Sequence, residues 1–284
     1  MSERLAGIVR RIETVHQLDA VVGAMRGIAA QRAQQARALL PAMHAYARTV
    51  TQAIGQARLL ISNPVGAMAR SGAPGEGGLI LFGSEQGFAG AFPEQLIDAV
   101  ASDMPNRHVL LIGARAAAIA AERGLPVAWT ADLPSKVEAL PGLATRILDA
   151  LYDYLESAES VPIAMAYPCW TPAQGARIVR TTLLPLDLGA FASAQARMAP
   201  ITNLAPARLI EQLTPEYVFA RICEAALEAY AAENEARMRR MADARTHIDR
   251  KREDLRLAER LTRQDEITAE VVELAAGARL RRFA

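Results

Sequence analysis

The sequence predicts an α/β protein whose two ends form one long antiparallel α-helical coiled coil around a central α/β domain. Residues 1–58 and 206–284 carry apolar residues at three- and four-residue steps, as one face of a helix requires. After Pro215 neither proline nor glycine occurs before Gly277. Between the two helical segments, residues 76–200 alternate short apolar runs with helical patterns. The chain therefore has three predicted parts: helix, α/β domain and helix.

The N-terminal helix has one apolar stripe with the spacing of a coiled-coil seam. Its members are Leu5, Ile8, Ile12, Val15, Leu18, Val22, Met25 and Ile28. We expect this helix to pair antiparallel with residues 206–278, because neither stripe could be buried alone. Gly23 and Gly27 suggest the close approach of a neighbouring helix, and Pro41 is expected to bend the helix.

The middle of the chain reads as a mostly parallel, doubly wound sheet covered by helices, that is, a Rossmann-like domain. Its predicted strands are 79–82, 108–113, 127–129, 161–167 and 177–184, the last two forming a hairpin around Pro172 to Gly175. Its predicted helices are 93–103, 114–123 and 136–157. Residues 62–78, rich in glycine and proline, are predicted to be a loop.

The C-terminal part is predicted to contain a short helix and then a long one. Pro206 would begin the short helix, which would end at Leu213. Thr214 has the residue type of an N-cap, followed by Pro215 at the first helical position. Gly277 is a plausible C-cap. The frequent alanines of the long helix would allow tight pairing with the N-terminal helix.

Composition limits the possible functions. The net charge of +1 argues against a general nucleic-acid binder. The charge is unevenly distributed, however: positions 237 to 263 contain ten basic residues and only five acidic ones. Such a basic helix suggests an acidic partner. Cys169 and Cys223 have no metal or disulfide spacing and are interpreted as packing residues. The N-terminus lacks the pattern of a signal or transit peptide, and no apolar stretch approaches the length of a membrane span.

Few residues of the chain suggest a catalytic, nucleotide-binding or metal site. Residues 83–90, Gly-Ser-Glu-Gln-Gly-Phe-Ala-Gly, follow the first strand but have neither a Walker ending nor dinucleotide-binding spacing. A structural turn, or a surface for another protein, is therefore favoured over a nucleotide site. The four histidines are scattered, and no serine lies in a nucleophile elbow. The residues alone predict a non-enzymatic α/β domain that carries a long basic coiled coil, with no cofactor and no metal.

Four segments resemble the gamma subunit of F-type ATP synthases, in the order of that family and over nearly the whole chain. Residues 22–32 (VGAMRGIAAQR) are similar to I-T-x-A-M-x-x-V-A-A-x-K, and residues 84–90 (SEQGFAG) to S-D-R-G-L-C-G. Residues 233–241 (ENEARMRRM) resemble the motif S-E-x-A-A-R-M-x-A-M. Residues 263–274 (RQDEITAEVVEL) resemble R-Q-A-x-I-T-x-E-I-x-E-I, the most specific of the four.

The resemblance implies a central rotor shaft without catalysis of its own. The paired helices would enter a ring of three alpha and three beta subunits, and the α/β domain would contact the epsilon subunit and the membrane c-ring. Such a subunit couples ion flow through the c-ring to ATP synthesis or hydrolysis. It would be peripheral to the bacterial plasma membrane on its cytoplasmic side, with no membrane span and no nucleic-acid partner.

The resemblance also implies roles for individual residues. Positions matching the family's contacts to beta subunits are Met25, Arg237, Arg263, Gln264, Thr268 and Glu270. The loop expected to face epsilon and the c-ring contains Ser84, Glu85, Gln86, Gly87 and Gly90. Arginines on a shaft can pair with acidic loops of a ring through charge-assisted hydrogen bonds. Reversing the charge of Arg237 or Arg263 is therefore expected to impair coupling more than assembly.

Departures from the family pattern indicate a divergent bacterial form. Glu85, Gln86, Phe88 and Ala89 stand where the family has Asp, a basic residue, Leu and Cys. The alternative sodium-type ATPase, whose subunits vary more widely, is one candidate branch. Two other classes of function stay open: a coiled-coil adaptor that bridges nucleic acid through its arginines, and a nucleotide-binding enzyme built on the α/β domain.

Overall fold

The computed structural model describes residues 3–60, 77–158, 161–186 and 201–280, with side chains up to residue 275. Its helices are α1 (Glu3–Leu59), α2 (Phe92–Val100), α3 (Ala114–Glu122), α4 (Leu140–Ser157) and α5 (Pro206–Leu280). Its strands are β1 (Gly78–Phe82), β2 (His108–Ile112), β3 (Trp129–Ala131), β4 (Ile163–Thr171) and β5 (Gly175–Leu184). Short 3-10 turns occupy Met104–Asn106 and Val137–Ala139. Nearly all of the predicted loop at 62–78 lies outside the described residues.

The predicted fold class is confirmed: long helices at both ends flank a central, mostly parallel sheet. By its contacts the chain divides into two compact units. The first unit contains Met1–Ile28 and Met238–Ala284, and the second contains Ala29–Arg237. The units therefore divide inside the two long helices.

The sheet has the strand order β3-β2-β1-β4-β5. The first four strands are parallel, and β5 returns antiparallel to β4 as the predicted hairpin. Strand β1 is central because its short run of apolar residues is buried on both faces. Strand β2 lies on one side of β1, and β4, which comes later in the chain, lies on the other side of β1. The switch in direction thus lies between β1 and β4, where open α/β sheets form a crevice at the carboxyl ends.

Two apolar layers cover the faces of the sheet. Ile80 and Phe82 belong to a core that also includes buried residues of α4 and α5, among them Ile147 and Ile222. Leu79, Leu81 and their neighbours pack with α2 and α3 through residues such as Leu96, Ile97 and Ile119. The alternation of side chains along β1 therefore decides which helix each residue contacts.

Within the second unit, α1 and α5 run antiparallel. Arg37 forms an ion pair with Glu235. Further along α1, the Nε2 atom of His44 lies 3.2 Å from Glu224 Oε1, and the hydroxyl of Tyr46 donates to Glu216 at 2.7 Å. Residue numbers rise on one helix as they fall on the other, which is the predicted direction of pairing.

The first unit has its own antiparallel seam. Val22, Met241 and Ile248 are buried there, with Val15, Met25 and Ala244 packed against them. Asp19 lies between two arginines of α5, 3.6 Å from Arg245 and 3.7 Å from Arg252. The predicted N-terminal stripe is only partly buried, because Leu18 and Ile28 remain 49% and 52% exposed.

Three local predictions were wrong. A Cβ atom at Gly23 or Gly27 would meet no heavy atom within 4 Å, so these glycines do not mark a close helix approach. The Thr214 hydroxyl donates to the Ile210 carbonyl at 2.8 Å inside α5 and is not an N-cap. Gly277 likewise lies within α5 and does not end it. Helix α5 continues through Pro215, although an internal proline removes one helical hydrogen bond and crowds the preceding turn. Val218 and Ile222, on the turns that follow, are buried and hold the helix against the core.

The open space at Gly27 leads to a stability prediction. Gly27→Ala should raise the free energy of unfolding by about 1 kcal/mol, because alanine loses less backbone entropy in a helix. Gly83→Ala is the matched contrast, since its Cβ would fall 2.2 Å from the Ala116 Cβ. Such overpacking should lower the free energy of unfolding by about 1–3 kcal/mol. Urea denaturation of the full chain measures both, and an unchanged or lowered stability of Gly27→Ala would contradict the prediction.

The two cysteines are free, and Cys223 is buried in α5. Burial raises the pKa of its thiol to about 12. Because the thiolate is the nucleophile, Cys223 should stay protonated and react slowly with iodoacetamide at pH 8 in the folded chain. In a Cys169→Ser background, unfolding in urea should accelerate the reaction by at least about tenfold. Equal rates in the folded and unfolded chain, measured by mass spectrometry, would show that Cys223 is accessible.

Candidate contact surfaces

The loop at residues 83–90 leaves β1 at the carboxyl edge of the sheet, beside the switch point. The Ser84 carbonyl accepts a hydrogen bond from the Ala116 amide at 3.1 Å, which ties the loop to α3. Ser84 is buried, and its hydroxyl oxygen has no hydrogen-bond partner. Ala89 is buried with the α2 and α3 layer. The loop is therefore anchored at both ends to the sheet and its helices.

Glu85 holds the loop against the neighbouring strands. Its Oε2 atom accepts hydrogen bonds from the Ala114 amide at 3.0 Å and the Leu133 amide at 2.8 Å. Ala114 begins α3, so the carboxylate lies at a helix N-terminus, where the helix dipole favours negative charge. In nucleotide-binding α/β domains a phosphate group occupies this kind of position. In this chain a side chain of the protein uses those amide donors.

Glu233 and Arg237 of α5, which we name the Glu233–Arg237 clamp, hold the loop from the other side. The Glu233 carboxylate accepts the amides of Glu85 and Gln86, each at 3.0 Å. Arg237 forms an ion pair with Glu233. It also donates to the carbonyls of Gly87 at 3.2 Å and Gln86 at 3.4 Å. The clamp therefore satisfies both donors and acceptors of the loop backbone.

Burial makes this clamp sensitive to change. Glu233 and Arg237 are only 3% and 4% exposed, and Arg237 also donates to the Asn234 side chain at 3.2 Å. A buried ion pair is tolerated when further hydrogen bonds satisfy both groups, as they do here. The Arg237 side chain is thus engaged with its own chain. Its role as a direct contact to a beta subunit stays a prediction.

The clamped loop presents a small surface to solvent. Gln86, Gly87 and Phe88 are exposed, whereas Ser84 is buried and Glu85 and Gly90 are partly buried. Phe88 is 68% exposed and adopts a φ of 63°, which is rare for a bulky residue. Sequence reasoning missed both the exposure of Phe88 and the role of Glu233. The spacing of Glu233 and Arg237, four residues apart on one helix, was the available signal for the ion pair.

A second surface lies on α5 in the first unit. Arg263 is 58% exposed, and its guanidinium pairs with Glu259 on the preceding turn at 2.9 Å. Gln264, Thr268 and Glu270 are also exposed. The Thr268 hydroxyl donates to the Gln264 carbonyl at 2.9 Å, a bond within the helix. Four of the six predicted beta contacts therefore lie on the exposed surface of one helical segment.

Large apolar side chains are exposed in the same part of α5. Each is more than half exposed to solvent: Leu257, Leu261, Ile267, Val271, Val272 and Leu274. Met25, the remaining predicted contact, is half-buried in the seam of that unit. Contiguous exposed apolar residues are typical of a protein contact surface. Charged and apolar groups thus share the same stretch of helix.

Comparison with known proteins identifies the family. A family model described as ATP synthase matches residues 4–279. The chain is 26% identical over 295 residues to an ATP synthase gamma chain of Parafrankia sp., covering 98% of each chain. It is 25% identical over 286 residues to that of Symbiobacterium thermophilum, again covering 98% of each. This chain belongs to the gamma-chain family of ATP synthases. Gamma chains are non-catalytic subunits of the central stalk.

Solved structures share the fold of this gamma chain. A chain of the Euglena gracilis mitochondrial ATP synthase has a TM-score of 0.68 at 12% identity and covers 96% of this chain and 93% of its own length. A chain from the central stalk and c-ring of the Tetrahymena thermophila enzyme has a TM-score of 0.53 at 15% identity, over 79% of this chain. Among the described residues of the gamma chain, no helix is apolar over a length that would span a membrane.

Proposed function

We propose that this gamma chain is the rotor of an F-type ATP synthase, turning inside a ring of three alpha and three beta subunits. It would couple ion flow through the c-ring to ATP synthesis or hydrolysis in that ring. The family match over residues 4–279 carries the proposal. The complex would hold the chain peripherally, on the cytoplasmic side of a bacterial plasma membrane.

The exposed segment of α5 is the proposed contact to beta subunits. Arg263 forms an ion pair with Glu259 on the preceding turn of its own helix. Exposed pairs of this kind contribute little stability, so the guanidinium can exchange Glu259 for an acidic group of the ring at small cost. Gln264, Thr268 and Glu270 are further proposed polar contacts on the same segment. Met25, which packs in the seam with Val22 and Met241, is proposed as a separate contact to a beta subunit.

The loop at residues 83–90 is the proposed contact on the epsilon and c-ring side. Gln86 and Gly87 are its exposed members among the predicted residues. The Glu233–Arg237 clamp holds the loop backbone from Glu85 to Gly87 through four hydrogen bonds. A loop fixed before association loses less conformational entropy on binding. The clamp therefore supports binding through preorganisation, whichever partner subunit meets the loop.

The alternative of a nucleotide-binding enzyme is not favoured by the switch-point crevice. The carboxylates of Glu85 and Glu233 take the amide donors there, including that of Ala114 at the start of α3. Two negative groups at this position would repel a phosphate. The amides that would bind a phosphate already have partners.

Affinity capture of the tagged full chain from its host cell tests the proposed function. The expected partners are alpha, beta and epsilon subunits and the c-ring of one ATP synthase. Retention of DNA that is lost as salt is raised would instead support the nucleic-acid adaptor. Saturable binding of ATP or NAD to the isolated chain would support the enzyme. Either result without ATP synthase subunits would overturn the proposal.

A further inference from the structure

A polar cavity lies on the α2 face of the sheet, away from the loop at residues 83–90. Its volume is about 210 Å³, and its walls include Asp103, Arg107, Arg180, Thr181 and Thr182. Arg107 immediately precedes β2, and Thr182 pairs with Ala164 near the start of β4. The cavity is therefore near the amino ends of the parallel strands, whereas the loop at residues 83–90 is at their carboxyl ends.

One arginine of this cavity already has partners. The Arg180 guanidinium donates to Asp103 Oδ2 at 2.7 Å. It also donates to the carbonyl of Ala99, in the last turn of α2. Arg180 and Asp103 thus neutralise each other and join β5 to the end of α2. The pair forms a wall of the cavity with little net charge.

Arg107 is different, because its Nε atom is buried and has no hydrogen-bond partner. Since the carboxylate of Asp103 is paired with Arg180, the charge that remains on the cavity walls is the positive charge of Arg107. A buried donor without a partner is costly, and in native structures such donors are usually satisfied by water, an ion or a ligand. The hydroxyl of Thr182 adds a donor from β5, since Thr182 lies on the same face of the sheet as Arg180.

We propose that this cavity binds a small oxyanion of the phosphate type, with Arg107 as the main donor. The cavity has the volume of roughly seven water molecules at about 30 Å³ each. This is enough room for a phosphate with part of its hydration shell. A tetrahedral anion presents oxygens in several directions. It can accept from Arg107 on one wall and from the Thr182 hydroxyl on another. This proposal does not depend on the rotor function.

Phosphate binding to the full chain tests the proposal, with ³¹P line broadening of inorganic phosphate as the readout at constant ionic strength. Saturable binding is expected. Arg107→Gln keeps the length of the side chain but removes its charge, and it should weaken binding by about tenfold or more. Arg115→Gln is the matched control, because Arg115 is an exposed arginine of the same domain, 3.5 Å from Glu94. The control should bind as the unchanged chain does.

Several results would overturn the proposal. These are the absence of saturable broadening, equal weakening by Arg107→Gln and Arg115→Gln, or binding of acetate in preference to phosphate. The last result would assign the cavity to a carboxylate, such as an acidic side chain of a partner. If Arg107→Gln does not fold, Thr182→Val provides the second variant. It should weaken phosphate binding measurably, and unchanged binding would count against the cavity as the site.

Discussion

Replacing Arg237 by alanine should lower the free energy of unfolding of this gamma chain by about 3–5 kcal/mol, the cost typical of breaking a buried ion pair. The change leaves the Glu233 carboxylate, only 3% exposed, without its counter-charge. It also removes the donors to the carbonyls of Gln86 and Gly87. Urea denaturation of the full chain, followed by circular dichroism, measures the loss.

A double-mutant cycle separates the ion pair from simple loss of packing. Arg237→Ala combined with Glu233→Gln should cost less than the sum of the two single changes, because the double variant buries no unpaired charge. Arg240→Ala is the control, an exposed arginine on the same helix, and should change stability by less than about 0.5 kcal/mol. Strict additivity of the two clamp substitutions would show that the pair is not coupled.

The burial of Arg237 also changes the expected result of a charge reversal. Arg237→Glu would place a second carboxylate beside Glu233, in a site that excludes water. Like charges at this spacing repel strongly where water is absent. This reversal should therefore reduce folding and assembly together with coupling, whereas the sequence alone predicted that coupling would be impaired more than assembly.

Charge reversal at Arg263 should have the second large effect, and it should act on coupling. Losing a charge-assisted pair with a beta subunit costs about 1.5–3 kcal/mol. In a reconstituted complex, ATP-driven ion pumping by Arg263→Glu should fall by about tenfold or more. In the isolated chain the substitution removes the exposed pair with Glu259, so stability should change by less than about 1 kcal/mol.

The control for Arg263 is Arg115→Glu, which changes an exposed arginine of α3 that matches no family motif. Its ion pumping and ATP hydrolysis should equal those of the unchanged complex. Assembly, measured by gel filtration of the complex, should be normal for both variants. If Arg263→Glu pumped ions as well as the control does, the assignment of Arg263 would fail, although the rotor function could rest on other contacts.

The local pattern of the sequence determined most of the architecture. The three- and four-residue steps predicted the two long helices, and the apolar run at 79–82 predicted the central strand, observed as Gly78–Phe82. These signals are strong because each depends on the period of a single element. The motif at 263–274 predicted the family because it, too, can be recognised within one continuous stretch of chain.

Only the tertiary structure decided which arginines are buried. Arg237 and Arg263 occur in similar basic surroundings on one helix, yet the first is 4% exposed and the second 58%. The difference arises because the loop after β1 folds against α5. It brings the Gln86 amide to Glu233, 147 residues away. Burial of this kind depends on contacts between distant segments, and the period of one helix holds no information about them.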